Sequence, residues 1–256
     1  MSKGISAWKL ISGQAVLLAV LLIISEFIVQ RGMVSNLYLA PPSQVIGEFN
    51  GLFQQNLIFT HLYVTLTEFA FGYAAATILA VGIGLFLVLT PYAESFFKPF
   101  LSALMAIPKV TIIPLMTLWL GIGMVNKMVV VFVFSFFPIL FNTITGIKHT
   151  AENHIKVARV LGATQNQIIK KVILPSAMPT IFAGMRVAAG TGLVGALFGE
   201  MLASKEGLGN ILVKATQLYN TAQVFAIIVI VTVVSVLIIA AIDFLEKKVF
   251  LKWKSL

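Results

Sequence analysis

The sequence predicts an all-α polytopic membrane protein with six transmembrane helices, and three observations carry that reading. Of its 256 residues, 59% are hydrophobic and only 11% are charged, with a mean hydropathy of +1.00. Soluble domains carry roughly 25% charged residues, so a water-soluble fold of this length has nowhere to hide so much apolar surface. Six apolar runs also approach the ~20 residues that a helix needs to cross a bilayer core. Finally, the basic residues behind the formal charge of +9 bracket those runs and form no single patch.

The spans follow in order, near 11–29, 61–89, 99–120, 127–147, 177–202 and 223–244. Residues 10–25 carry no charge, and none follows Glu68 through residue 93. Residues 99–126 are broken only by Lys109, 128–147 by nothing, 172–199 only by Arg186, and 215–242 by nothing. Lys3 and Lys9 precede the first span as they would precede a signal peptide. The run is long, however, contains Glu26 and lacks a small-x-small cleavage site, so it reads as an uncleaved anchor. No internal repeat is visible.

An even number of spans puts both termini on one side. If that side is cytoplasmic, Lys3, Lys9, Lys98, Lys148, Lys156, Arg159, Lys170, Lys171, Lys247, Lys248, Lys252 and Lys254 lie inside. Arg31, Lys127, Lys205 and Lys214 lie outside, and Lys109 and Arg186 fall within spans. The positive-inside rule favours this orientation. It also accounts for the net charge without nucleic acid. The absence of cysteine excludes disulfides, thiolate metal sites and cysteine nucleophiles. His61, His149 and His154 have no metal-ligand spacing and read as interfacial or loop residues. No phosphate-binding Gly-x-x-x-x-Gly-Lys-Ser/Thr loop occurs, and no catalytic constellation is visible, so the chain is not expected to be an enzyme.

Residues 149–176, between the fourth and fifth spans, carry the most information. Ile155, Ala158 and Leu161 recur at helical spacing, and Gly162 then interrupts the helix. Thr164 and Gln167 fit a capping box, in which the threonine accepts from a backbone N–H and the glutamine reaches back. A second short helix follows, with Ile168, Ile169, Val172 and Ile173 apolar and Lys170 and Lys171 solvated. Pro175 is expected to stop it, because proline lacks a donor and clashes with the preceding turn. The result is a helix–glycine–helix hairpin with an apolar knob in a basic surround. It suits docking into a groove on another protein or lying against lipid headgroups.

This loop resembles the EAA loop of binding-protein-dependent ABC importer permeases, in which Gly is followed after nine residues by an aliphatic, one residue, and Leu-Pro. Ala158, Gly162, Val172, Leu174 and Pro175 occupy matching positions, and Ala163 follows the glycine. Lys156 and Val157 stand where the family commonly has Glu and Ala. Further stretches are similar to the nitrate/sulfonate/taurine-type branch: Pro42, Ser43 and Val45; Ile107, Pro108, Lys109 and Val110; Pro114 and Leu115; Trp119 to Gly123. Gly184 to Val187, Gly199 to Ala203, and Gly207 to Gly209 continue the likeness.

The resemblance implies a type I ABC importer (MetI-like) permease fold in a prokaryotic cell inner or plasma membrane, with both termini cytoplasmic. It implies one transmembrane permease domain over 1–256, with a first span and external segment (1–60), a permease core (61–245) and a coupling loop (148–176). Ala158, Gly162, Ala163, Val172, Leu174 and Pro175 would couple to a partner ATPase, in two copies, that carries ATP and magnesium. No cofactor is expected on this chain. A second permease subunit, most simply a homodimer partner, and an extracytoplasmic substrate-binding protein are implied too, the latter docking near 31–60 and 203–222. The function implied is ATP-driven import of a small anionic solute. The rival readings are a self-contained secondary carrier or channel, which would show inverted repeats and an acid relay, and a non-transport scaffold.

Charges inside the spans offer the remaining candidates. Lysine or arginine at the bilayer centre costs about 2.5–3.5 kcal/mol and so usually faces protein or water. Lys109 lies roughly 14 Å into its span, flanked by Pro108 and Pro114. It either faces a translocation path that favours anions or satisfies carbonyls freed by the prolines. Arg186 and Glu68 reach overlapping depths and could form a structural pair. Glu200, near the outer end of the fifth span, is a second candidate for the translocation path, as a gate, or could serve a docking surface or solvation. Gly184, Gly190, Gly192, Gly195 and Gly199 suggest close packing along the dimer or pore.

Overall fold

In the computed structural model, residues 7–54 and 57–254 are described; Lys3, placed inside above, lies outside them. The first helix, α1 (Ala7–Gln30), stands apart, with residues 11–24 exposed on every side. Its outer end is fastened where Glu26 accepts hydrogen bonds from the Ser43 N–H (3.0 Å) and hydroxyl (2.6 Å). Ser43 opens α2 (Pro42–Gln54), an amphipathic helix that packs on the last span and buries Leu52. The second span is α3 (Leu57–Leu89).

The expected third span, 99–120, is not one helix. It consists of α4 (Pro91–Ala106), a 3₁₀ turn (Lys109–Ile112) and α5 (Ile113–Leu120), with an 85° bend between the two halves. Pro108 causes the break. Its ring drives Ile107 out of the helical region to φ −64°, ψ 129°, and helix restarts with Pro114 in its first turn, where no N–H is missed. The freed Pro108 carbonyl is satisfied by Thr111, through its N–H (3.0 Å) and hydroxyl (2.7 Å), not by Lys109. Glu94 in α4 pairs with Lys148 at the inner end, while the Asn126 amide reaches the Gly121 carbonyl (3.1 Å) at the outer end. The bent pair therefore runs the length of α6 as one broken span, which makes six among the described residues.

Next come α6 (Met124–Lys148), α7 (Glu152–Val160) and α8 (Gln165–Ile168). Pro175 does not stop the helix after α8. A π-turn (Ile169–Ile173) carries the chain directly into α9 (Leu174–Ala203), with Pro175 in its first turn. The wider π ring absorbs the hydrogen-bond gap that would have ended an α-helix there. The chain closes with α10 (Leu208–Gln217) and the last span, α11 (Thr221–Lys254).

The core is the packing of α6 against α9 and of α3 against α6. Glycines of α9, Gly190 aside, serve this contact inside the chain, where packing along the dimer or pore was expected of them. A Cβ on Gly184 would lie 2.5 Å from Asn142 Cβ, and one on Gly195 would lie 2.9 Å from Phe134 Cγ. Only Gly190, among those five, has open space beside it. Side-chain-to-backbone bonds between helices add specificity in a medium without competing water. Tyr73 Oη donates to Met185 O (2.8 Å) and Ser135 Oγ to Ala188 O (3.2 Å).

Candidate functional site

Three places concentrate chemistry, and the first is the elbow α7–Gly162–α8. Gly162 adopts φ +78°, and a Cβ at this position would meet nothing within 4 Å, so the turn's left-handed backbone, not crowding, calls for glycine. The capping box forms as expected: the Gln167 N–H donates to Thr164 Oγ1 (3.4 Å) and the Thr164 N–H to Gln167 Oε1 (2.8 Å). The two apolar sets of the elbow separate. Ile155, Ala158 and Ala163 pack inward on Ile147, Ile168 and Ile173, which fixes the elbow to the foot of α9. Val157 (58% exposed), Val160 (87%) and Leu161 (80%) point out beside Lys156 and Arg159. The knob is thus Val157, Val160 and Leu161; of the residues grouped from spacing, only Leu161 belongs to it. Of the residues expected to couple, Val172, Leu174 and Pro175 lie in the half-buried stem joining the elbow to the span.

The second place is a groove of about 580 Å³ at the α4–α5 break. Lys109 and Arg186 both line it, with Pro138, Gly190 and Thr191 among its walls. The Lys109 Nζ lies 5.6 Å from the centre of the Phe137 ring, a cation–π contact that holds the stem without neutralising the charge. Arg186 does not pair with Glu68. Its Nη1 donates to Asp243 Oδ1 (3.0 Å) and to Glu246 Oε2 on α11. Asp243 and Glu246 are three apart, hence on one helical face. That spacing was the available signal, and depth matching alone overlooked it.

The third place is a buried polar cluster at the outer end. Lys127, counted as an external charge, is 5% exposed and donates to Glu68 Oε1 (3.0 Å) and Ser204 Oγ (2.8 Å). Glu68 itself is wholly buried and so takes the nearer cation at its own end of the bundle. Glu200 is wholly buried too, accepting from Thr65 Oγ1 (2.6 Å) and the Gly209 N–H (2.7 Å). It does not line the Lys109 groove. His61 is neither interfacial nor in a loop: it is 6% exposed, and its Nδ1 accepts from the Gly207 N–H (2.8 Å). Gly207, at φ +103°, brings its backbone against the Glu200 carboxylate, where a Cβ would collide. The cluster therefore staples the turn before α10 to α3 and α9. Among the described residues no group of three or more His, Cys, Asp or Glu could hold a metal.

Comparison with known proteins gives a consistent picture. Residues 76–251 match the family described as binding-protein-dependent transport system inner membrane component. The putative aliphatic sulfonates transport permease protein SsuC of Bacillus subtilis is 33% identical over 237 residues, covering 93% of this chain and 86% of that protein. The formylaminopyrimidine transport permease protein ThiX of Halalkalibacterium halodurans is 32% identical over 223 residues, covering 87% and 88% respectively. An inward-facing structure of the MetNI methionine ABC transporter superposes with a TM-score of 0.62 at 21% identity, covering 77% of this chain and 95% of that one. At that identity the likeness is one of fold.

Proposed function

The chain belongs to the family of binding-protein-dependent transport system inner membrane components, and from that premise we propose the part each of its elements plays. It is a multi-pass permease component of an ABC-type importer, and the ATPase is a separate polypeptide. Membership of this family sets aside the secondary carrier and the scaffold. The observation that carries the assignment is the elbow: three exposed apolar side chains, Val157, Val160 and Leu161, ringed by basic residues at the cytoplasmic end. An isolated apolar knob of this kind suits a groove on a partner helix-binding protein. Its inward face is packed on the foot of α9, so motion of the knob moves that span.

ATP and magnesium act on the partner, in two copies. Closure of that motor would rock the elbow about Gly162 and switch the path between inward-open and outward-open states. A second copy of this chain covers the Lys109–Arg186 groove, because Lys109, which has no acidic partner among the described residues, would cost about 2.5–3.5 kcal/mol if it faced hydrocarbon. Lys109 then lies on the translocation path, and the solute is small and anionic. Glu200 anchors the outer cap, an assignment favoured by its complete burial. The external binding protein docks over 31–60 and 203–222, where Tyr38, Leu218 and Tyr219 stand exposed.

The test is co-purification. Leu161→Glu places a charge in the knob without touching the core, so ATPase retention should fall at least about ten-fold, the equivalent of ~1.4 kcal/mol. Full retention of the ATPase by both Leu161→Glu and Val160→Glu would remove the coupling assignment.

A further inference from the structure

Arg186 shares the groove of Lys109, while the two α11 carboxylates that hold it do not line that groove. Both carboxylates are served by one guanidinium nitrogen, Nη1. Among the described residues neither Nε nor Nη2 makes a hydrogen bond, and the side chain is 29% exposed. The remaining N–H donors form the planar fork that matches a two-oxygen anion. Lys109 supplies a second positive charge in the same cavity, tethered over Phe137 and without an acidic partner among the described residues. Summed over Lys109, Arg186, Asp243 and Glu246, the formal charge is zero. A site on a path must attract its passenger and also release it, and a cation pair with built-in counter-ions does both.

We propose that Arg186 and Lys109 form a weak contact, within their shared groove, for small monovalent oxyanions, and that Asp243 and Glu246 are the internal competitors that keep it weak. This deepens the importer reading and rests on it. Arg186 contacts the anion through Nε and Nη2, and the α11 carboxylates lower its affinity by holding Nη1 and neutralising part of its charge. Neither role is that of a simple strut between α9 and α11. Gly190, with open space at its α-carbon, leaves room for the anion beside the guanidinium.

The sign of two substitutions separates these alternatives. The permease is reconstituted with its ATPase in lipid nanodiscs, and fluorine NMR line broadening of trifluoromethanesulfonate reports weak binding, competed by methanesulfonate. The wild-type complex is expected to broaden the line saturably. Arg186→Gln should weaken binding about ten-fold, as loss of charge-assisted hydrogen bonds does, and Arg186→Lys should fall between. Asp243→Asn, at a side chain 46% exposed, should tighten it several-fold. A mere structural pair predicts that both Arg186→Gln and Asp243→Asn act in the same direction, through a lowered melting temperature. Absence of saturable broadening in the wild type, unchanged binding in Arg186→Gln, or weaker binding in Asp243→Asn would each overturn the proposal. ATPase retention in the Leu161→Glu series is read separately: its loss alongside a silent fluorine signal discards the anion contact while keeping the importer.

Discussion

Removing the Lys127 ammonium strands the Glu68 carboxylate in a wholly buried position, since one of its oxygens, Oε2, already lacks a partner among the described residues. Lys127→Met is therefore expected to destabilise the protein by about 3–5 kcal/mol, the cost of an uncompensated buried charge. Replacing both partners, with Glu68→Gln added, should recover most of that loss, because no charge is then left buried. Thermal unfolding of the single and double variants checks this, and equal destabilisation by both would show that the pair contributes through packing alone. The sequence exposed only half of this pair. Glu68 stood out as an acid near an apolar run, whereas Lys127, at the mouth of the fourth span, looked like any loop lysine. Proximity across 59 positions of chain is a property of helix packing that no local pattern records.

At the scale of the element, the elbow was legible because its chemistry is local. A threonine followed three residues later by glutamine is a cap in nearly any context, and a glycine between two short amphipathic runs is a turn. Thr164→Ala should cost about 1 kcal/mol of local stability. Its signature is hydrogen exchange roughly five-fold faster at the amides of Gln165 to Ile168, with the α6 core unchanged. Uniform acceleration through α6 would mean that the cap supports the whole bundle. Prolines were read less well, because their effect depends on the turn around them. Pro108 broke a span expected to be continuous, yet Pro175 ended nothing, since a π-turn ahead of it made the missing donor harmless. The freed Pro108 carbonyl is met locally, by the Thr111 hydroxyl and N–H three residues on, so Lys109 is left free of that duty.

Across the whole molecule, the exposed face of α9 makes the clearest demand on an assembly. Val187 (56% exposed) and Val194 (44%) flank the charged groove, and a second copy seated there would bring equivalent positions near a two-fold axis. The chain has no cysteine, so Val187→Cys or Val194→Cys gives an unambiguous background for cross-linking. In native membranes, at least one should form a covalent dimer under mild oxidation, while Ile78→Cys on the exposed flank of α3 should not. Monomers only, from both α9 variants, would point to a different face or a different partner.

Sequence by itself determined the solvent, the number of the crossings, the elbow and the family, because apolar run length and local capping are properties of neighbouring residues. Tertiary structure alone decided which charge meets which. Arg186 found Asp243 and Glu246, Lys127 found Glu68, and the glycines of α9 other than Gly190 pack on α6. In a medium where a lone charge costs several kcal/mol, partners are set by helix rotation and depth. Those two quantities are fixed only when all the spans pack at once.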